Sequence, residues 1–129
     1  MLRRMATALL MCWPVLLQAA PGMTAEELSE GKSQYLIVDV RTAQEYAEGH
    51  IPDAINVPHD QIVSGDTRLK DGKGRQVVVY CRSGRRSALA AEQLEKMGFN
   101  AVRTLKGDMP GWIEKGLPVE RGDARVCCH

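Results

Sequence analysis

Apolar residues along this chain gather in short runs separated by stretches with helical spacing. Tyr35-Leu36-Ile37-Val38-Asp39-Val40, Val77-Val78-Val79-Tyr80 and Ala101-Val102-Arg103-Thr104-Leu105 are rich in β-branched and aromatic residues and too short for stable helices. Runs that are apolar at nearly every position suit strands covered on both faces, as in a parallel sheet. Thr24-Ala25-Glu26-Glu27 and Thr42-Ala43-Gln44-Glu45 both carry the capping-box pattern, which predicts helices ending near Gly31 and Gly49. A longer helix is predicted from about Ser87 to Met97, with a buried stripe of Leu89, Ala90, Leu94 and Met97 and a stop at Gly98. A last short helix, Met109 to Lys115, carries Trp112 as a core residue. Ile51 to Pro58 holds a strand of about three residues between prolines, which fits a sheet edge. Asp60 to Gln76 is polar and reads as loop with one helical turn, anchored by Leu69. The alternation predicts one α/β domain with a mainly parallel sheet.

The first 20 residues stand apart. Arg3 and Arg4 give a positive start, Leu9 to Leu17 is almost wholly apolar, and Gln18-Ala19-Ala20 ends in small residues. This is the pattern of a secretory signal peptide, and the apolar run is too short, and broken by Pro14, for a membrane span. The expectation is cleavage after Ala19, a mature domain from 20 to 129 with a short flexible tail, and a periplasmic or secreted location without stable membrane insertion. Cys12 leaves with the signal. Loss of Arg3 and Arg4 takes the basic residues from 17 to 15 against 16 acids, a balance with no nucleic-acid footprint. The mature body then holds a single cysteine, Cys81, with Cys127 and Cys128 at the chain end. There is no disulfide framework, and Cys127-Cys128-His129 reads as a frayed tail carrying an adventitious or vicinal disulfide, in preference to a metal or redox appendage.

Chemistry concentrates after the Val77–Tyr80 run. Cys81 stands at the carboxyl end of a predicted parallel strand, where ligands bind in open α/β sheets. Arg82, Arg85 and Arg86 follow with no acid among them, and a helix begins directly afterwards. An ordinary cysteine is mostly thiol at neutral pH, whereas cations and helix N-terminal N–H groups favour the nucleophilic thiolate and bind anions. Three clustered arginines repel one another unless an anion is present. Nucleophile and activation are therefore expected together, in preference to a structural cysteine beside a solvated turn.

These residues resemble the single-domain rhodaneses, the thiosulfate-type sulfurtransferases. Asp39-Val40-Arg41, Glu45-Tyr46 and Gly49-His50-Ile51-Pro52 with Ala54, Asn56 and Pro58 are similar to the family's first signature. Cys81-Arg82-Ser83-Gly84-Arg85-Arg86 fits its Cys-x-x-Gly-x-Arg loop, and Gly98-Phe99, Val102, Leu105, Gly107 and Trp112 its closing segment. Asp108 departs from the pattern, since many members carry a second glycine there, and the expected effect is confined to the local turn.

The resemblance implies a doubly wound α/β domain flanked by helices and a ping-pong reaction without cofactor or metal. Cys81 would take a sulfane sulfur from a small anionic donor such as thiosulfate, hold it as a persulfide, and pass it to cyanide, a thiol or a redox protein. Arg85 and Arg86 would attract the donor, the N–H groups from Arg82 through Ser83 and Gly84 to Arg86 would cradle the persulfide, and Gly84 would permit the tight turn. Asp39, Arg41 and Ser87 are expected to support the loop, Asp39 and Arg41 through buried hydrogen bonds. His50 and His59 invite a general-base reading that a ready-made thiolate does not need. Two rivals remain, a persulfide carrier without turnover and a cysteine phosphatase or arsenate reductase. The latter needs arginine six positions after the cysteine, where Ser87 stands.

Overall fold

The computed structural model describes residues 22–65, 69 and 72–122. The segment read as a signal peptide, Cys12 and Cys127-Cys128-His129 lie outside them. Five parallel strands form one sheet: β1 (Gly22–Met23), β2 (Tyr35–Asp39), β3 (Ile55–Asn56), β4 (Gln76–Tyr80) and β5 (Val102–Leu105), in the order β1-β5-β4-β2-β3. Five helices flank it: α1 (Ala25–Gly31), α2 (Ala43–Glu48), α3 (His59–Val63), α4 (Arg85–Lys96) and α5 (Asp108–Glu114). β4 is central, paired over its whole length with β2 and over three residues with β5.

Side-chain alternation along β4 divides the core into two layers. Val77, Val79 and Cys81 pack with Ala90, Ala91, Leu94 and Leu69 on one face, while Val78 and Tyr80 pack with Leu28, Tyr46 and Trp112 on the other. Each face alone would demand alternating polarity; coverage of both explains the unbroken apolar run.

Both predicted N-terminal caps form. Thr24 accepts from the Glu27 N–H, and Thr42 with Glu45 closes a reciprocal capping box. The two-residue β3 lies at an edge, as its prolines required. β1 at the other edge was not foreseen, because Gly22 and Met23 are too few to show periodicity; they pair with Thr104 and Leu105. α4 starts two residues earlier than its pattern suggested and α5 one residue earlier. The stripe of α4 is corrected as well: its buried face is Ser87, Ala90, Ala91 and Leu94, spaced by three, four and seven, and Leu89 is 46% exposed. Ala90 and Leu94 lie on that face as expected and Met97 packs partly buried against it, so leucine's hydrophobicity misled only at Leu89. No described helix is long and apolar enough to cross a membrane.

Candidate active site

Cys81 follows the last residue of β4, and its side chain is wholly buried against the α4 layer. The chain turns through Arg82 and Ser83 to Gly84, whose φ of +89° suits glycine and disfavours any L side chain. That turn aims the Gly84 N–H at the sulfur, to which it donates over 3.0 Å. The Cys81 thiol donates to Ser87 Oγ at 3.5 Å, and the Ser87 hydroxyl donates to the Gly84 carbonyl at 3.0 Å. The sulfur thus sits inside its own loop, at the amino end of a 12-residue helix where free N–H groups and the dipole favour negative charge.

The early start of α4 puts Arg85 and Arg86 in its first turn. Cations there oppose the helix dipole. Arg86 is neutralised by Glu45 of α2, donating to both carboxylate oxygens at 2.6 and 3.1 Å. That guanidinium, against the opposing effect of burial and aided by the Thr42 N–H, holds the Glu45 carboxyl down at about 2. Arg86, expected to attract an anionic donor, thus already has a carboxylate partner within the fold. Arg82 and Arg85 are exposed and keep their charges for solvent or ligand.

Asp39 and Arg41, expected to support the loop, make their buried hydrogen bonds to each other and to the segments after β2. The buried Asp39 carboxylate accepts from the Arg41 backbone N–H at 2.9 Å, from Nε at 3.0 and 3.1 Å and from Nη2 at 2.6 Å. Nη2 also donates to the Gly49 carbonyl at 2.7 Å, and the guanidinium lies 5.6 Å from the Tyr80 ring centroid. Burial works against the charge of Arg41, but the bonds from Asp39 outweigh it and raise its pKa. Asn56 Nδ2 donates to the carbonyls of Asp39 and Arg41 at 3.0 and 2.9 Å, tying the end of β2 to β3. His50 stacks on Tyr46 with ring centroids 3.7 Å apart, its Nδ1 2.9 Å from the Tyr46 carbonyl, so its ring is engaged in packing. His59 begins α3, its N–H bonded to the Val40 carbonyl.

Asp108 is the residue that sequence reasoning underrated. Its carboxylate reaches from the start of α5 into the Cys81 loop, where Oδ1 accepts from the Cys81 N–H at 3.0 Å and, at 3.4 Å, shares the Ser87 hydroxyl proton with the nearer Gly84 carbonyl. The available signal was its departure from glycine. Beside the loop opens a groove of about 410 Å³, lined by Arg41, Glu48, Arg82, Met109, Ile113 and Arg121 among others.

A family model described as Rhodanese-like domain matches residues 23–115. A sulfurtransferase of Allochromatium vinosum is 42% identical over 84 residues, covering 65% of this chain and 77% of that protein. Thiosulfate sulfurtransferase 16, chloroplastic, of Arabidopsis thaliana is 34% identical over 106 residues, covering 74% of this chain and 87% of its own. Among solved structures, a rhodanese-related protein from Thermoplasma volcanium superposes with a TM-score of 0.70 at 32% identity, covering 78% of this chain and 97% of that one.

Proposed function

The chain belongs to the rhodanese-like domain family, and within the sulfur-transfer role which that membership supports we propose that Cys81 carries the sulfur as a persulfide drawn from thiosulfate or a similar anionic donor. The Cys81 thiolate attacks the outer sulfur of thiosulfate, the donor's S–S bond breaks, and sulfite leaves with the bonding pair. The terminal sulfur of the persulfide then accepts attack by cyanide or a thiolate; the Cys81–sulfur bond breaks and returns the thiolate, releasing thiocyanate or a new persulfide.

The observation that carries this reading is the Gly84 N–H held 3.0 Å from Cys81 Sγ at the head of α4. A donor placed there can stabilise negative charge as it develops on sulfur without reorganising. Arg82, which lines the groove, and Arg85, exposed in the first turn of α4, supply the attraction for an anionic donor. Arg86 acts indirectly, fixing the first turn of α4 against α2.

Treatment of the purified protein with thiosulfate is expected to add one sulfur atom by intact mass, and cyanide to remove it as thiocyanate. Cys81→Ala should lose both while staying folded, and replacement of Cys127 and Cys128 should leave both intact. A Cys81→Ala protein that still gained sulfur would overturn the assignment. Sustained thiocyanate release under excess thiosulfate and cyanide distinguishes an enzyme from a carrier that loads only once. Export is a separate proposal resting on residues 1–19; N-terminal sequencing after expression in a secreting host should find Ala20, and retention of Met1 would refute it.

A further inference from the structure

Two main-chain bonds reach Cys81 from the beginning of α5. The Asp108 carboxylate accepts the Cys81 N–H at 3.0 Å, and the Met109 N–H donates to the Cys81 carbonyl at 3.1 Å. Both peptide groups of the nucleophile are thereby fixed by one neighbouring turn. Asp108 Oδ1 also lies 3.4 Å from Ser87 Oγ, taking the longer share of a hydroxyl proton that is 3.0 Å from the Gly84 carbonyl, so a single oxygen touches both the residue that opens the loop and the residue that closes it. Its second oxygen, Oδ2, lies 3.3 Å from where a Cβ on Gly84 would stand, against the residue whose N–H meets the sulfur.

This arrangement has a cost. Asp108 holds a positive φ of +51° and is only 8% exposed, with no cation paired to it among the described residues. A non-glycine residue in that backbone region and a buried carboxylate are each unfavourable unless specific contacts hold them. Glycine would relieve the backbone and remove the charge. The bonds to Cys81 and Ser87 are what glycine cannot supply.

We propose that Asp108 is a positioning residue for sulfur transfer: its carboxylate clamps the two ends of the Cys81–Ser87 loop, and by fixing the Cys81 main chain it aims Sγ at the Gly84 N–H. The claim rests on the reading of Cys81 as the sulfur carrier. It separates the acceptor oxygen, which does the positioning, from the negative charge, which the reaction does not need.

Two variants divide these properties. Asp108→Asn retains an acceptor oxygen and loses the charge, whereas Asp108→Gly loses the acceptor and relieves the backbone. Single-turnover sulfur loading from thiosulfate is expected within about threefold of wild type in Asp108→Asn, and slowed about tenfold or more in Asp108→Gly with the donor KM changed less than threefold, since misaimed reacting atoms cost rate more than binding. Wild-type loading in Asp108→Gly, or equal slowing in both variants, would overturn the clamp. Amide NMR gives a readout independent of how well Asp108→Gly folds. The Cys81 amide proton should be protected from exchange in wild type and shift upfield in Asp108→Asn, as a charged acceptor gives way to a neutral one; an unprotected Cys81 amide in wild type would refute the bond itself. A wild-type protein that takes up no sulfur would instead defeat the sulfur-carrier reading and leave the amide result to stand alone.

Discussion

Neutralisation of Glu45 is the perturbation that tests how α2 is coupled to the Cys81 loop. Its carboxylate receives two hydrogen bonds from Arg86 and shares in the cap of α2 through Thr42. The fall from the ordinary 4.5 to about 2 corresponds to about 3 kcal/mol if all of it were realised as stability. Both side chains are about a quarter exposed, so screening by water leaves about 1–2 kcal/mol, at the upper end for a bidentate pair. Glu45→Gln, Arg86→Gln and the double variant, unfolded in urea at pH 7, should give a coupling energy in that range. The folded value lies below the unfolded one, so the contribution is whole above about pH 4.5 and is lost as pH falls through about 2. At pH 3 the coupling should have dropped to less than half. Glu45→Gln should also lower the KM for thiosulfate, because the freed guanidinium adds positive charge beside the loop. A coupling below about 0.3 kcal/mol, or one indifferent to acid, would refute the assignment of this pair as the link between α2 and α4.

Three further outcomes follow from the same geometry. Asp39→Asn leaves Arg41 buried without its counter-charge, and chemical denaturation should register a loss of about 3–5 kcal/mol; a change under 1 kcal/mol would mean that the pair contributes little. Gly84→Ala forces an L residue to φ +89° with its Cβ 3.3 Å from Asp108 Oδ2, and should cost about 1–2 kcal/mol together with slower sulfur loading; unchanged stability and rate would show that the turn is not constrained. Raising ionic strength from 0.05 to about 0.5 M shortens the screening length to a few ångströms, so the thiosulfate KM should rise through exposed Arg82 and Arg85 while kcat stays level; a falling kcat would place the arginines in the chemical step.

The strands β2 and β4 were legible because each is covered on both faces and so reads as an apolar run. The N-terminal caps at Thr24 and Thr42 were legible because their hydrogen bonds join residues only three apart, although the full reciprocal box forms only at Thr42. Cys81 announced itself by strand, glycine and arginines together. What the sequence could not reveal were contacts between distant segments: Arg86 meets Glu45 across 41 positions, and Cys81 meets Asp108 across 27. An arginine's charge is visible in a sequence, but whether it is spent on a carboxylate is a property of the fold. β1 stayed hidden for another reason, since a two-residue strand takes its identity from the partner it pairs with.

These long-range contacts alter the account of how the sulfur is activated. Counted along the chain, the loop carries three arginines and no acid. In the fold one of them is matched by Glu45, and a second carboxylate, Asp108, bonds to the Cys81 backbone N–H. The excess charge around the loop is therefore much smaller than the sequence suggests, and the remaining cations are solvent-exposed, where their effect on a buried sulfur is weak. Stabilisation of negative charge on Sγ falls instead to the short-range elements: the Gly84 N–H at 3.0 Å and the amino end of α4. Those elements act only if the sulfur is aimed at them within a few tenths of an ångström, which makes the residues that fix Cys81 from outside its loop as important to the chemistry as the charges within it.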